Sequence, residues 1–439
     1  MGGKVKIIRN ISVIAATAIL MLGQINPALA GDLSEHLVQR VEDVKKLIQK
    51  NPTDLDKVLA PSFLAKVPPD KLVPVFKDYF NKGGEVISVL QVKSLGPLAA
   101  EYRFFTKTTV FPVKIWLSEA LPHMAEGLWL GTQSPRFGKT ADAVTALKAL
   151  PGKVSFAVWQ LGGKEPVILA SHNADERLAM GSTFKLYILG ALVKDIVAGK
   201  RKWEDVVTLK KEWRSWPSGV LQEWPEGTPL TLHTLASEMI SISDNTGTDH
   251  LLYLIGRAEV EAMLGVMGHG SPSLNMPFLS TREMFLLKDT TESKERIAHY
   301  LSLDRSGQRL FIDELGRQPR PDFLKSGSTP LSIDKVEWFA SAADLCRAMD
   351  WLRLNSEKGL SVYTRGILSI NKGLTWSDDK WRFVGYKGGS EPGVLNLTWI
   401  AERNDGAWFA ISGGWNDPSA PLDENKLIEA LQAVILTLE

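Results

Sequence analysis

The chain has 439 residues, more than one small module needs and enough for two or three domains with sizeable cores. Apolar residues make up 44% and charged residues 23%, which excludes disordered, collagen-like and polytopic membrane classes. Lys plus Arg is 51 against 50 Asp plus Glu; Lys4, Lys6 and Arg9 precede any acidic residue in the first thirty positions, so 48 basic residues face 50 acidic ones in the rest, and charge gives no case for nucleic-acid binding.

Residues 1–30 read as a signal peptide: a basic start, the apolar run Ile11 to Leu22, and Ala28-Leu29-Ala30 as a small-x-small cleavage point before Gly31. The alternative is a retained membrane anchor, for which the apolar run falls short of the roughly 20 residues a spanning helix needs. The implied localisation is secreted, in the periplasm. The single cysteine, Cys346, cannot form an intramolecular disulfide, and its helical surroundings predict a buried inert thiol.

Residues 31–130 predict a small α+β domain. Leu33, Leu37, Val41, Val44, Leu47 and Ile48 fall on one helical face, and short helical pieces follow around 55–59 and 71–80. After Gly83-Gly84 the pattern turns to strands, over 86–92, 99–109 and 113–117, closing at 127–130. The order resembles NTF2-like or cystatin-like modules that precede some exported serine hydrolases. A structural or peptide-docking role fits it better than a ligand pocket, because no polar set converges. Residues 131–140 have linker composition.

From 141 to 439 a second domain is expected. A helix over 141–150 leads into strands over 154–160 and 166–170, and strands over 394–402 and 407–413 flank the turn Arg403-Asn404-Asp405-Gly406. A final helix is expected over 423–438. The intervening stretch is mostly helical, so the sheet is assembled from both ends of the segment around an inserted helical subdomain.

No Gly-x-Ser-x-Gly elbow, His-Glu-x-x-His, Walker loop or dinucleotide fingerprint is present, and the seven histidines are scattered, so neither a metal nor a cofactor is indicated. Ser-x-x-Lys occurs four times, at Ser182, Ser332, Ser369 and Ser377, and is weak alone. Only Ser182 opens a long apolar helix. A serine at such an N-terminus presents its hydroxyl and N–H at the positive end of the helix dipole, and Lys185 lies one turn on, where an apolar setting lowers its pKa and lets the amine take the serine proton. Ser243-Asp244-Asn245 occurs once, between helical runs over 232–242 and 248–255, and reads either as a cleft-facing connection or as an N-cap. Lys387-Gly388-Gly389-Ser390 precedes the strand at 394.

Together, in this order, these motifs resemble the class A β-lactamase and penicillin-binding protein family. With the preceding module, the chain is similar to two-domain β-lactamase-like serine hydrolases, one of them associated with clavulanic acid biosynthesis. The resemblance implies an α+β fold with an antiparallel sheet flanked by helices. It makes Ser182 the nucleophile, Lys185 its base and Ser243 a proton relay. Asn245 would bind the substrate amide and orient Lys185; Lys387 with Gly389 and Ser390 would bind substrate, and Ser182 and Ser390 would supply the oxyanion N–H groups. Two departures stand out. The family's hydroxyl after the lysine is Gly388 here, and no Glu-Pro-x-Leu-Asn string is present. The nearest deacylation base is Glu283, which a helix start explains equally well. Trp213, Trp216 and Trp224 read as packing aromatics or as walls of the cleft mouth. The implied partner is a β-lactam, an ester or a cell-wall peptide. The alternatives are a D,D-peptidase or esterase, and a non-catalytic peptidoglycan or β-lactam sensor.

Overall fold

The computed structural model describes residues 27–137, 140–288, 292–318, 329–357, 359–374, 376 and 380–438. The expected leader therefore lies outside the described residues up to position 26, as does Ser377. The first domain begins with the helix Pro27–Leu47, whose apolar face buries Leu37, Val41 and Val44. Short helices Leu55–Val58 and Pro61–Lys66 and the longer Pro69–Gly83 follow, the last two with a proline in the first turn, where its missing N–H costs nothing. Strands Val86–Gly96, Ala99–Thr106, Thr109–Leu117 and Ala125–Leu130 pair in sequence order, all antiparallel. The expected strand over 99–109 ends at Thr106, because the Thr106 hydroxyl accepts from Thr108 N and Thr109 N and closes a turn there. Phe76, Phe104 and Phe111 fill the core between helices and sheet.

The second domain is built on the sheet Trp381–Glu391, Val394–Arg403, Trp408–Asn416, Lys153–Leu161, Val167–His172, in that spatial order and antiparallel throughout. Its first and last strands in sequence thus share one sheet, as read from the pattern, and Gly406 (φ 87°) closes the expected hairpin. Each face is covered. The helices Thr140–Lys148 and Glu424–Leu436 pack on one side over Phe156, Trp399 and Trp415. The other side carries Ala342–Leu354 and the helical insertion, whose centre is Lys185–Val197, buried along nearly its whole length. Cys346 lies in this core with its thiol pushed up by burial. Short two-stranded pairs, Val206–Thr208 with Pro229–Thr231 and Leu178–Ala179 with Phe339–Ala340, interrupt the helical stretch, where no strand was expected. Runs of two or three residues are too short to show an alternating period.

Candidate active site

Ser182 does not open the α-helix directly. It sits in a 3-10 turn, Gly181–Phe184, and the α-helix starts at Lys185. The tighter turn brings residues three apart nearly into line, so Ser182 and Lys185 share a side even more closely than α-helical spacing gives. Phe184 anchors the turn by stacking on Trp338 with centroids 3.7 Å apart, and Met180 N donates to the Trp338 carbonyl at 2.9 Å.

The strand carrying Lys387 lies against the backbone of this turn. A Cβ on Gly389 would stand 2.3 Å from the Met180 carbonyl oxygen and 2.4 Å from Ser182 N, and one on Gly181 (φ 48°) would stand 3.0 Å from Ser390 N. No side chain fits at either position, and the absence of both lets the strand backbone at Gly389 and Ser390 approach the backbone of the serine turn closely. Gly388 has its own reason: a Cβ there would stand 2.0 Å from the Tyr386 hydroxyl. The phenol of Tyr386 occupies the space that the family's usual side chain would need.

Lys185 is fully buried, and its Nζ donates to the Ser243 carbonyl (2.6 Å), the Ser243 hydroxyl (3.0 Å) and Asn245 Oδ1 (2.6 Å). Burial and the nearby Lys387 hold its pKa well below that of an ordinary lysine, against the pull of Asp244 and Asp249. Lys387 is buried too, and burial lowers its pKa to about 7. Its Nζ donates to the same Ser243 hydroxyl at 3.1 Å and to the Gly388 carbonyl. A hydroxyl accepts two hydrogen bonds and donates one. With both lone pairs taken by the lysines, the Ser243 proton is left to point elsewhere.

Ser243 holds this place in a left-handed backbone conformation (φ 60°), uncommon for a side chain that is not glycine. The strain is held by Asp244, fully buried, which caps the helix Asn245–Ile255 through Gly247 N (2.8 Å) and also accepts from Val220 N (2.7 Å) and Leu221 N (2.9 Å). The cap reading of Ser-Asp-Asn holds for Asp244, while Ser243 before it meets the two lysines. Asn245 spends its oxygen on Lys185 and donates from Nδ2 to the Trp216 carbonyl at 2.9 Å. Trp216 is buried beside it, Trp213 packs on His250 and Tyr253, and Trp224 is 40% exposed.

Glu283 is the residue that the structure does not bring into this cluster. It is 1% exposed, and its carboxylate binds Arg257 through two bonds (2.7 and 3.0 Å) and accepts from Ser280 N (2.7 Å) at the start of the helix Thr281–Lys288. These partners fix a helix start and a neighbouring helix and occupy both oxygens. The residue that sequence reasoning missed is Asp249. Fully buried, it accepts from Thr281 N, Arg282 N and the Thr281 hydroxyl, and burial raises its pKa to about 7. Its only sequence signal was its position one turn after Asn245. Among the described residues no three His, Cys, Asp or Glu converge as a metal site.

The family model described as the β-lactamase enzyme family matches residues 138–345, the stretch that carries the serine turn and the Ser243 connection. Over that stretch the second domain is similar to the β-lactamase enzyme family. Among curated relatives, this chain is 30% identical over 123 residues to β-lactamase VEB-1 of Pseudomonas aeruginosa, spanning 27% of this chain and only 39% of that protein. It is 25% identical over 275 residues to β-lactamase FAR-1 of Nocardia farcinica, spanning 62% of this chain and 74% of that one. Among solved structures, a β-lactamase from Sphaerobacter thermophilus superposes with a TM-score of 0.47 at 22% identity, covering 68% of this chain and 96% of its own. A mutant of PBP-A, in an acyl-enzyme complex with penicillin G, superposes with a TM-score of 0.46 at 14% identity, covering 68% of this chain and 95% of its own. The matched stretch ends before the Lys387 strand, which joins the site through the sheet.

Proposed function

We propose that the protein is an exported serine hydrolase that forms an acyl-enzyme on Ser182 with a β-lactam or a related amide or ester. The observation that carries this reading is the meeting of Lys185 and Lys387 on the one hydroxyl of Ser243. In the reaction, Lys185 as the neutral amine keeps two of its three hydrogen bonds and uses the freed lone pair to accept the Ser182 proton as Oγ bonds to the substrate carbonyl carbon, and the Ser182 and Ser390 N–H groups stabilise the oxyanion. The C–N bond then breaks, and the leaving nitrogen takes the Ser243 proton, which the lysines replace. Asn245 orients Lys185, and Lys387 attracts a substrate carboxylate while it is charged. Water finally cleaves the ester and returns the free serine.

The bonds of Glu283 to Arg257 and Ser280 favour a second reading for the last step. Without a carboxylate free to activate water, the ester clears slowly, as in a D,D-peptidase that passes its acyl group to another acceptor. The leader sequence supports export, and the N-terminal domain is best read as a structural or docking module.

The test is intact mass over time after mixing mature protein with a penicillin and with a cephalosporin, using Ser182→Ala as control. The expected result is an adduct on the wild type and none on the variant, and persistence for many minutes supports slow clearance. Labelling that survives in Ser182→Ala overturns the assignment of the nucleophile. An adduct that clears within seconds, with release of hydrolysed drug, overturns the slow reading and establishes β-lactamase turnover.

A further inference from the structure

The helix Thr281–Lys288 ends in a lysine whose side chain is 5% exposed, and its Nζ donates to Glu337 Oε1 and to Glu391 Oε1, both at 2.6 Å. Glu337 is fully buried, whereas the Glu391 side chain is 17% exposed. These charges come from three separate elements, and two of them touch the serine turn. Glu337 precedes Trp338, which stacks on Phe184 and accepts from Met180 N. Glu391 follows Ser390 at the end of the strand that lies on Gly181 and Ser182.

One lysine between two carboxylates would leave a buried net negative charge, which is costly. Both carboxyls meet on the same ammonium group, so a proton on one of them relieves the excess charge. Burial and the neighbouring Glu391 push Glu337 well above the usual carboxylate range, whereas the two carboxylates hold Lys288 protonated despite its burial. A proton on Glu337 offsets the excess of buried carboxyl groups around the one ammonium. Asp334 and Lys335, on the same segment as Glu337, are exposed to solvent and do not compensate it.

We propose that Lys288, Glu337 and Glu391 are positioning residues that hold the Ser390 N–H against the serine turn, fixing the second oxyanion donor before substrate arrives. The proposal rests on the acyl-enzyme reading above. It assigns unequal parts to two glutamates that look equivalent. Glu337→Gln keeps the shape and neutrality of a protonated acid, so it acylates within about twofold of wild type near pH 7. Glu391→Gln and Lys288→Met break the charge balance and let the strand end drift, and misplacement on the order of 1 Å costs up to about 100-fold in rate; we expect at least tenfold slower acylation.

The pH profile separates positioning from mere stability. Raising the pH through the elevated Glu337 pKa places a second carboxylate beside Glu391, so wild-type acylation falls on the alkaline side. The ratio of wild type to Glu337→Gln cancels the titration of Lys387 and should decline with pH. Amide hydrogen exchange of the strand Trp381–Glu391 reads the same device without any substrate: faster in Glu391→Gln and Lys288→Met, unchanged in Glu337→Gln. Folded variants of Glu391 and Lys288 with wild-type acylation and exchange would overturn the proposal, as would equal losses from Glu337→Gln and Glu391→Gln. If wild type is never labelled at Ser182 the acyl-enzyme reading fails, and the exchange measurement still decides whether the charges hold the strand.

Discussion

At the scale of single residues, the site consists of groups placed against their own solvation. Lys185 and Lys387 are both buried, and each would be more stable as a charged group in water. Lys387 binds protons with a pKa of about 7 when folded, against the ordinary value near 10.5 when unfolded. The unfolded chain therefore holds more protons between about pH 7 and pH 10, and this group makes stability rise with pH across that window, by at most about 1.4 kcal/mol per pH unit. Below pH 7 both states are protonated and its contribution to the slope vanishes. Lys387→Met removes the effect. Chemical denaturation at pH 7 and pH 9.5 should show a smaller gain with pH for the variant, a stability at pH 7 at least equal to wild type, and acylation by penicillin slowed at least 100-fold. A variant with the wild-type pH slope would mean that Lys387 keeps an ordinary pKa. Such a residue destabilises the fold and is explained by chemistry alone.

At the scale of elements, catalytic geometry depends on how closely a strand approaches a turn. Gly389 and Gly388 are adjacent on the same strand but meet different obstacles. A Cβ on Gly389 meets the backbone of Met180, Ser182 and Thr183 at 2.3 to 2.6 Å, whereas the nearest obstacle to one on Gly388 is the tip of the Tyr386 side chain, not backbone. Gly389→Ala must push strand and turn apart, so its acylation rate should fall about 100-fold, with a stability loss of about 1–3 kcal/mol typical of overpacking. Gly388→Ala should stay within about tenfold of wild-type rate. Equal rates for the two variants in a stopped-flow assay would show that the close approach at Gly389 does not set the reactive geometry. This contrast also marks what was legible in the sequence. The three-residue spacing of Ser182 and Lys185, the single Ser-Asp-Asn and the glycines after Lys387 are local patterns, and the order of elements around them gave the sheet its two-ended assembly. The place of Glu283 was not legible, because its partner Arg257 stands 26 residues earlier on another helix. The 3-10 turn at Ser182 was missed because apolar patterning does not separate three residues per turn from 3.6 over a single turn.

At the scale of the molecule, the two large sheets and the three main apolar cores must act as one body if the N-terminal domain is to influence the site. The cores are separate, two in the second domain on opposite faces of its sheet and one in the first. A polar contact joins the domains: Arg103, on the strand Ala99–Thr106, is 2% exposed, and it donates to Asn425 Oδ1 at 2.8 Å and to Glu429 Oε1 at 3.3 Å on the helix Glu424–Leu436. That helix packs on the sheet that carries Lys387, so the connection runs from the first domain through one helix to the site strand's own sheet. A guanidinium taken out of water this completely has its charged form disfavoured by burial, and Glu429 compensates only in part. Removing one partner of such a buried pair typically costs about 3–5 kcal/mol, because the other is left facing an apolar interior. Arg103→Ala should therefore weaken domain docking more than it weakens either core. Calorimetry should resolve the wild type as one transition and the variant as two, the earlier one belonging to the first domain, while acylation of Ser182 at 25 °C remains within about twofold. A single transition lowered as a whole would instead mean that the first domain is needed for the second to fold.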